Sequence, residues 1–452
     1  MKAELDEALG RWKEHVAKAY EAQNARSVEL DKRARQVLPG GDTRYSVTLK
    51  PFAPYFVSGS GQHLRTADDK TVLDFLGNAT SLIHGHAHPI IVQAAKEQLE
   101  RGSAWSGPNA RAIELAEIIH ERVPSMERIR FTNSGSEATA MMVKVARAFT
   151  GRDVIMKMDA TYHGCVDLFE FGPGVAPSSP PKAYTAGVPA NLADNVIIAK
   201  WNDTDGVVRA IEQNAERLAA VVLTPLVSAG WVEPNPGFLE AIRKATAAHG
   251  VLLLFDEVIC FRIGYGGAQG RYSVKPDLTA LAKVIGGGFP VGAFGGREDV
   301  MRLTDPASGP VVAHAGTFNG NPVTSAAGVA SMTLLTRDAF ARLDALGERM
   351  RVQLRDVIQE LGAPFRITGV ASLAGMEYEP PDDDPEFASL ASRIVPSLQV
   401  SYLNHGMHAK LFAAMTVMTE RDVDAAASIV SNVLDELLEF VPQVRVRTRT
   451  GV

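Results

Sequence analysis

The chain has 452 residues, 46% hydrophobic and 22% charged, the make-up of an ordinary soluble globular protein, which excludes a disordered or fibrous one. Its formal net charge of −6 leaves no basic footprint, so nucleic acid is not an expected partner. Two cysteines, Cys165 and Cys260, are too few for a disulfide framework and point to a reducing compartment. The stretch MKAELDEALGRWKEHVAKAY carries charges throughout and lacks the apolar centre of a signal peptide. No apolar run approaches the ~20 residues that cross a bilayer, so a cytoplasmic protein of about two to four domains is expected.

Up to about residue 38, apolar positions such as Leu5, Leu9, Trp12, Val16 and Tyr20 recur at helical spacing, and Pro39-Gly40-Gly41 breaks the pattern. Short strands and turns are expected from about 48 to 76, with Asp68-Asp69-Lys70 as one turn. Between 89 and 151, helical patterns surround one short strand, Arg128 to Phe131. Compact apolar runs follow at 153–158, 195–200, 219–226 and 251–258, separated by helical segments such as 205–218 and 237–250. Apolar strands alternating with helices predict an α/β fold with a mostly parallel sheet covered on both faces. Segment 166–192 is rich in Pro, Gly, Ala and Ser and reads as a long surface loop. After about 330, long helices around a strand at 372–379 predict a second, α+β domain, and 379–386 reads as a solvated acidic loop.

Four elements could build one site. In RFTNSGSEATAMM a strand ends at Phe131, and Ser134-Gly135-Ser136-Glu137 opens a helix. Free N–H groups at a helix start, with hydroxyls and a glycine, suit a phosphate, although a serine there can also be a plain N-cap. In ATYHGC, Tyr162 and His163 follow a strand and a turn, where an aromatic could stack on a flat ring or simply sit half-buried in a loop. In VLLLFDEV, five apolar residues run into Asp256 and Glu257, at the strand end where open α/β sheets bind ligands. A buried Asp256 needs a partner, which a protonated pyridine nitrogen or the cap of the next helix would supply. In DLTALAKVIGGG, Lys283 sits among Leu278, Leu281, Val284 and Ile285. It either snorkels to water or, desolvated, becomes a neutral amine able to form a Schiff base with an aldehyde. Phosphate cradle, ring stacker, pyridinium partner and Schiff-base lysine together are what pyridoxal phosphate requires of a protein.

SGSEA, YHG, FDEV, PDLTALAKVIGGG and HAGTFNGNP, in this order, resemble the class III pyridoxal-phosphate aminotransferases. The stretch around Lys283 is especially similar to the glutamate-1-semialdehyde aminomutase branch and its β-amino-acid and D-phenylglycine aminotransferase relatives. The resemblance spans about residues 35 to 440. It implies a fold-type-I transferase with a mostly parallel central sheet and a smaller α+β domain. Residues 1–65 would join the small domain, 66–330 would form the cofactor domain and 331–452 the rest of the small domain. It further implies that Lys283 bonds to the cofactor aldehyde and shuttles a proton, and that Asp256 keeps the pyridine nitrogen protonated. Tyr162 and Val258 would pack on the two ring faces beside His163. Ser134, Gly135 and Ser136 would bind phosphate together with Thr317 of a second copy, so a homodimer with a shared site is implied.

Departures from the family matter too. Thr224-Pro225 stands where relatives carry Glu-Pro, and PGGDTRYS stands where aminomutases carry a PGGVNSP-like stretch. The second difference favours a transaminase acting on an amino donor and a keto acid, with Arg44 holding the substrate carboxylate; a surface pair with Asp42 is the alternative for that arginine. An aminomutase or epimerase, and a cofactor-binding regulator without turnover, are the rival functions. His84, His86 and His88 alternate, but Gly85 and Pro89 mark a turn, so no metal site is expected. Cys165 reads as a small buried side chain.

Overall fold

A computed structural model describes residues 2–172, 180–309, 312–380 and 389–446. The chain forms two compact units: a larger one of residues 80–82 and 89–341, and a smaller one taking the described residues up to 79, 83–88 and from 342 onward. This division differs from boundaries at 65 and 330 for local reasons. Strand Thr71–Asp74 pairs with His63–Thr66 and with Met407–His408, which ties it to the smaller unit. Helix Pro322–Leu334 packs on helices Pro89–Arg101 and Ala110–Arg122, which ties it to the larger.

The larger unit is built on a seven-stranded sheet of β1 (Arg128–Thr132), β2 (Val154–Met158), β3 (Val196–Ala199), β4 (Leu218–Leu223), β5 (Leu252–Asp256), β6 (Leu278–Ala282) and β7 (Gly292–Gly296). Their spatial order is β1-β7-β6-β5-β4-β2-β3. All neighbours are parallel except β7, which runs antiparallel to both β1 and β6. Every residue of β4, β5 and β6 is buried, as expected where helices cover both faces and no polar alternation is needed. One face packs on Ala138, Met142 and Val145 of helix Gly135–Thr150, the other on Val207, Ile211, Phe238 and Ile242.

Strand β7 reads GAFGG, a composition that argues against a strand on propensity alone. Close backbone approach explains it: a Cβ on Gly292 would lie 2.1 Å from the Ser134 carbonyl oxygen, and one on Gly296 2.1 Å from that of Asp277. The expected surface loop 166–192 is only partly one. Leu168, Phe169 and Phe171 are buried in the sheet's core, and Phe171–Gly172 pairs with Lys182–Ala183; residues 173–179 lie outside the described residues.

In the smaller unit, helix Lys2–Gln23 packs on helices Ala391–Asn404 and Glu420–Phe440, and Trp12 Nε1 donates to Glu436 Oε1 at 2.9 Å. Strand Leu373–Tyr378 pairs with Phe365–Thr368 and Phe412–Ala413. Most of the acidic stretch 379–386 lies outside the described residues.

Candidate active site

Strands β5 and β6 run parallel and in register, Asp256 opposite Ala280, so Asp256 and Lys283 both emerge at the carboxyl ends of parallel strands. Lys283 is half-buried and holds φ at +53°, a left-handed conformation unfavourable to a long side chain and often found at functional positions. Burial pushes its ammonium from the ordinary 10.5 down to about 8, against the opposing pull of Asp256. Among the described residues Lys283 makes no ion pair, and desolvation is the largest influence on its amine.

Asp256 is buried, and its two oxygens have different partners: Oδ2 lies 2.8 Å from His163 Nδ1, and Oδ1 accepts the Val258 N–H at 3.0 Å. Glu257, its neighbour, faces the other way. It accepts from the Gln269 N–H at 3.1 Å and from Gln269 Nε2 at 2.9 Å, anchoring helix Gly267–Tyr272. Full burial pushes Glu257 up to about 7 despite these bonds. Two consecutive carboxylates thus separate into one at the strand-end cluster and one inside the scaffold.

The start of helix Gly135–Thr150 meets this cluster. Ser134 is its N-cap, with Oγ accepting the Glu137 N–H at 3.2 Å, so that hydroxyl is engaged in capping. A Cβ on Gly135 would lie 2.9 Å from Val258 Cγ2 and 3.4 Å from Ala282 Cβ, so glycine lets the helix start close against the residues beside Asp256 and Lys283. Ser136 Oγ accepts the Cys165 N–H at 3.2 Å, and the Thr139 hydroxyl donates to the His163 carbonyl at 2.7 Å, which docks the Tyr162–Cys165 turn on the helix. His163 packs on Phe169 with ring centroids 5.2 Å apart, and its buried Nε2 has no partner among the described residues.

Tyr162 is 58% exposed, with its hydroxyl 3.3 Å from Cys165 Sγ. Partial burial first, and then the thiol, push the phenol up to about 12. Cys165 corrects the expectation of a buried side chain: it is exposed, because Gly164 turns the chain outward at φ +101°.

The structure therefore brings together Gly135, Ser136, Tyr162, His163, Asp256, Val258 and Lys283. Thr317 lines a groove that none of these seven residues lines. It is exposed, and the groove, of about 840 Å³, is shared with Trp105, Ile113, Arg130 and His314. Its segment is fixed through Asn319 Oδ1, which accepts from Asn133 Nδ2 at 2.9 Å. Arg44 belongs to the smaller unit, where it is exposed and donates from Nη2 to Asn78 Oδ1 at 2.9 Å rather than pairing with Asp42.

The alternating histidines go to separate partners: His84 Nδ1 lies 3.0 Å from Thr416 Oγ1, and His86 Nε2 lies 2.7 Å from Asp74 Oδ2. Although burial opposes it, bonds from His408 and His86 hold Asp74 well below the usual carboxylate range.

One neighbour of the lysine had no signal in the sequence. Arg262 is fully buried, donates from Nη1 to the Thr80 carbonyl at 2.9 Å, and is pushed down by burial to about 9. Its positive charge adds to the lowering of Lys283. Thr224, in the place of the family's glutamate, is buried with its hydroxyl donating to the Leu226 carbonyl at 3.1 Å and lying 3.7 Å from Cys260 Sγ.

Comparison with known proteins identifies the family. The family model described as aminotransferase class-III matches residues 45–434. A glutamate-1-semialdehyde 2,1-aminomutase from Methanothermobacter thermautotrophicus is 41% identical over 77% of this chain and 82% of its own. An omega-transaminase from Sphaerobacter thermophilus is 40% identical, with a TM-score of 0.85 over 91% of this chain and 97% of its own. A beta-phenylalanine aminotransferase from Variovorax paradoxus is 31% identical, with a TM-score of 0.84 over 95% of this chain and 97% of its own. The chain belongs to the class-III aminotransferases, pyridoxal-phosphate enzymes of fold type I.

Proposed function

We propose that the protein is a transaminase that moves an amino group from a carboxylate-bearing amine, a β-amino acid or a related amino acid, to a keto acid. The observation that carries the reading is the pair of strand ends: an amine lowered to about 8 at Lys283 beside a buried carboxylate at Asp256 that His163 and the Val258 N–H hold in place. This set fits pyridoxal phosphate. A cationic ring nitrogen needs a fixed carboxylate, an aldehyde needs an unprotonated amine, and a phosphate needs free N–H groups at a helix start. When bound, the cofactor supplies that aldehyde and a ring that withdraws electrons from the substrate.

The chain's own residues then have separate tasks. Lys283 would hold the cofactor through its aldehyde, and its amine would carry the proton that moves during amino transfer. Asp256 would keep the ring nitrogen protonated, with His163 fixing the orientation of Asp256. Tyr162 and Val258 would flank the ring. Ser134, Gly135 and Ser136 would bind the phosphate, with the exposed Thr317 of a second copy completing the site, which would make a homodimer in the cytoplasm the working unit. Arg44, exposed and bonded to a neutral asparagine, is left with its full charge to pair with a substrate carboxylate.

The omega-transaminase and beta-phenylalanine aminotransferase relatives support this reading; the aminomutase at 41% identity supports a second, in which one amino compound is isomerised. Assay of candidate donors with and without a keto acid separates them. Turnover that requires the keto acid supports the transaminase; turnover without it supports the aminomutase; no turnover of any donor by cofactor-loaded protein leaves a regulator. Arg44→Ala should lower kcat/KM about ten- to a hundredfold for an amino acid and barely change it for the matching decarboxylated amine. Equal losses on both would withdraw the carboxylate role from Arg44.

A further inference from the structure

We infer that Cys165 is a positioning residue of the cofactor site, tying the ring-stacking Tyr162 to the phosphate-binding Ser136. The inference rests on the pyridoxal-phosphate reading and concerns a residue to which that reading gives no task. Two contacts converge on this position. The Cys165 thiol lies 3.3 Å from the Tyr162 hydroxyl, and the Cys165 N–H donates to Ser136 Oγ at 3.2 Å. Gly164 between them leaves no slack, since a Cβ there would lie 2.5 Å from that same Ser136 oxygen.

Tyr162 needs such a tether. A side chain 58% exposed is not fixed by packing, so the orientation of its ring depends on what holds the phenol end. Its hydrogen-bonding neighbours are the Cys165 thiol and the Ser136 hydroxyl, both on the turn-and-helix contact just described, and the charge of Glu170 also acts on the phenol. A free phenol would regain rotational freedom, and binding a flat cofactor would then have to order it again. The chemistry needed at 165 is a short side chain with a polar end that can donate or accept, which a thiol supplies weakly and a hydroxyl supplies as well.

The test is a double-mutant cycle on cofactor affinity. Protein stripped of cofactor is titrated with pyridoxal phosphate for the wild type, Cys165→Ala, Cys165→Ser, Tyr162→Phe and the Cys165→Ala/Tyr162→Phe pair. Cys165→Ala should weaken binding about two- to tenfold, the range of one net hydrogen bond, and Cys165→Ser should recover most of the loss. In the Tyr162→Phe background, Cys165→Ala should change nothing further, because the group it acts through is gone. A second readout needs no cofactor: the alkaline phenol titration, taken as the difference between proteins with and without the Tyr162 hydroxyl, should move below about 12 in Cys165→Ala. Unchanged affinity in Cys165→Ala, or equal losses with and without the phenol, would overturn the inference while wild-type binding leaves the cofactor reading intact. Failure of the wild type to bind pyridoxal phosphate would remove both together.

Discussion

Replacing Lys283 with methionine removes a charge that the fold desolvates, so the cofactor-free variant should be more stable than the wild type at neutral pH. The fall in the lysine's pKa from 10.5 to about 8 corresponds to about 3 kcal/mol. The sign follows from proton counting. Between pH 8 and 10.5 the unfolded chain binds the proton that the folded chain has released, so stability rises with pH across that window. The penalty is fully present below pH 8 and fades above it. Methionine keeps the length and apolar stem of lysine, and the left-handed backbone at 283 is common to both, so backbone strain cancels in the comparison. Lys283→Met should therefore gain about 3 kcal/mol in urea unfolding of cofactor-free protein at pH 7, and less than about 1 kcal/mol at pH 10. Equal stabilities at pH 7, or a gain that persists unchanged at pH 10, would refute the desolvated amine.

Other expectations bear on the scaffold around it. Glu257, raised from 4.5 to about 7, gives the wild type stability that is fully present below pH 4.5 and lost as pH rises through 7; Glu257→Gln should flatten that part of the stability–pH curve. Gly292→Ala puts a methyl group 2.1 Å from the Ser134 carbonyl and 2.2 Å from Thr132 Oγ1. It should cost about 1–3 kcal/mol or more of stability and weaken cofactor retention, both measurable on purified protein. Asp256→Asn removes the negative charge that raises Lys283, so the amine should titrate below about 8 in cofactor-free protein, read by NMR after reductive methylation. A rise instead would show that the two groups are not coupled.

The parts of the fold legible in the sequence are those where a single run of residues carries the signal. Strands β2 to β5 are compact, mostly apolar runs, buried at every residue in β2, β4 and β5 and only partly in β3, and helices such as Phe238–Ala248 carry a plain apolar stripe. Strand β7 was not legible, because its glycines answer to the Ser134 and Asp277 carbonyls, which lie far from it in sequence. The site shows the same division. Asp256 closing a buried strand and Lys283 before three glycines are visible locally, and the family resemblance arranged them in one place. The separation of Asp256 from Glu257 was not visible, since it depends on Gln269 offering donors to the second carboxylate. Nor was the exposure of Cys165, which follows from a turn at Gly164 forced by contact with Ser136, nor the burial of Arg262, whose partner is the Thr80 carbonyl.

The central claim is that Lys283 is the amine that bonds to the cofactor, and one other lysine could contest it. Lys157 in β2 is buried, more fully than Lys283, is likewise pushed down by burial to about 8, and donates from Nζ to the Phe171 carbonyl at 3.1 Å. Borohydride reduction of pyridoxal-phosphate-loaded protein, followed by peptide mapping in a mass spectrometer, fixes the bond where it forms. The label should fall on the peptide containing Lys283 at one per chain and be absent from Lys283→Met. A label on Lys157, or one that survives in Lys283→Met at the same yield, would contradict the assignment of the active site.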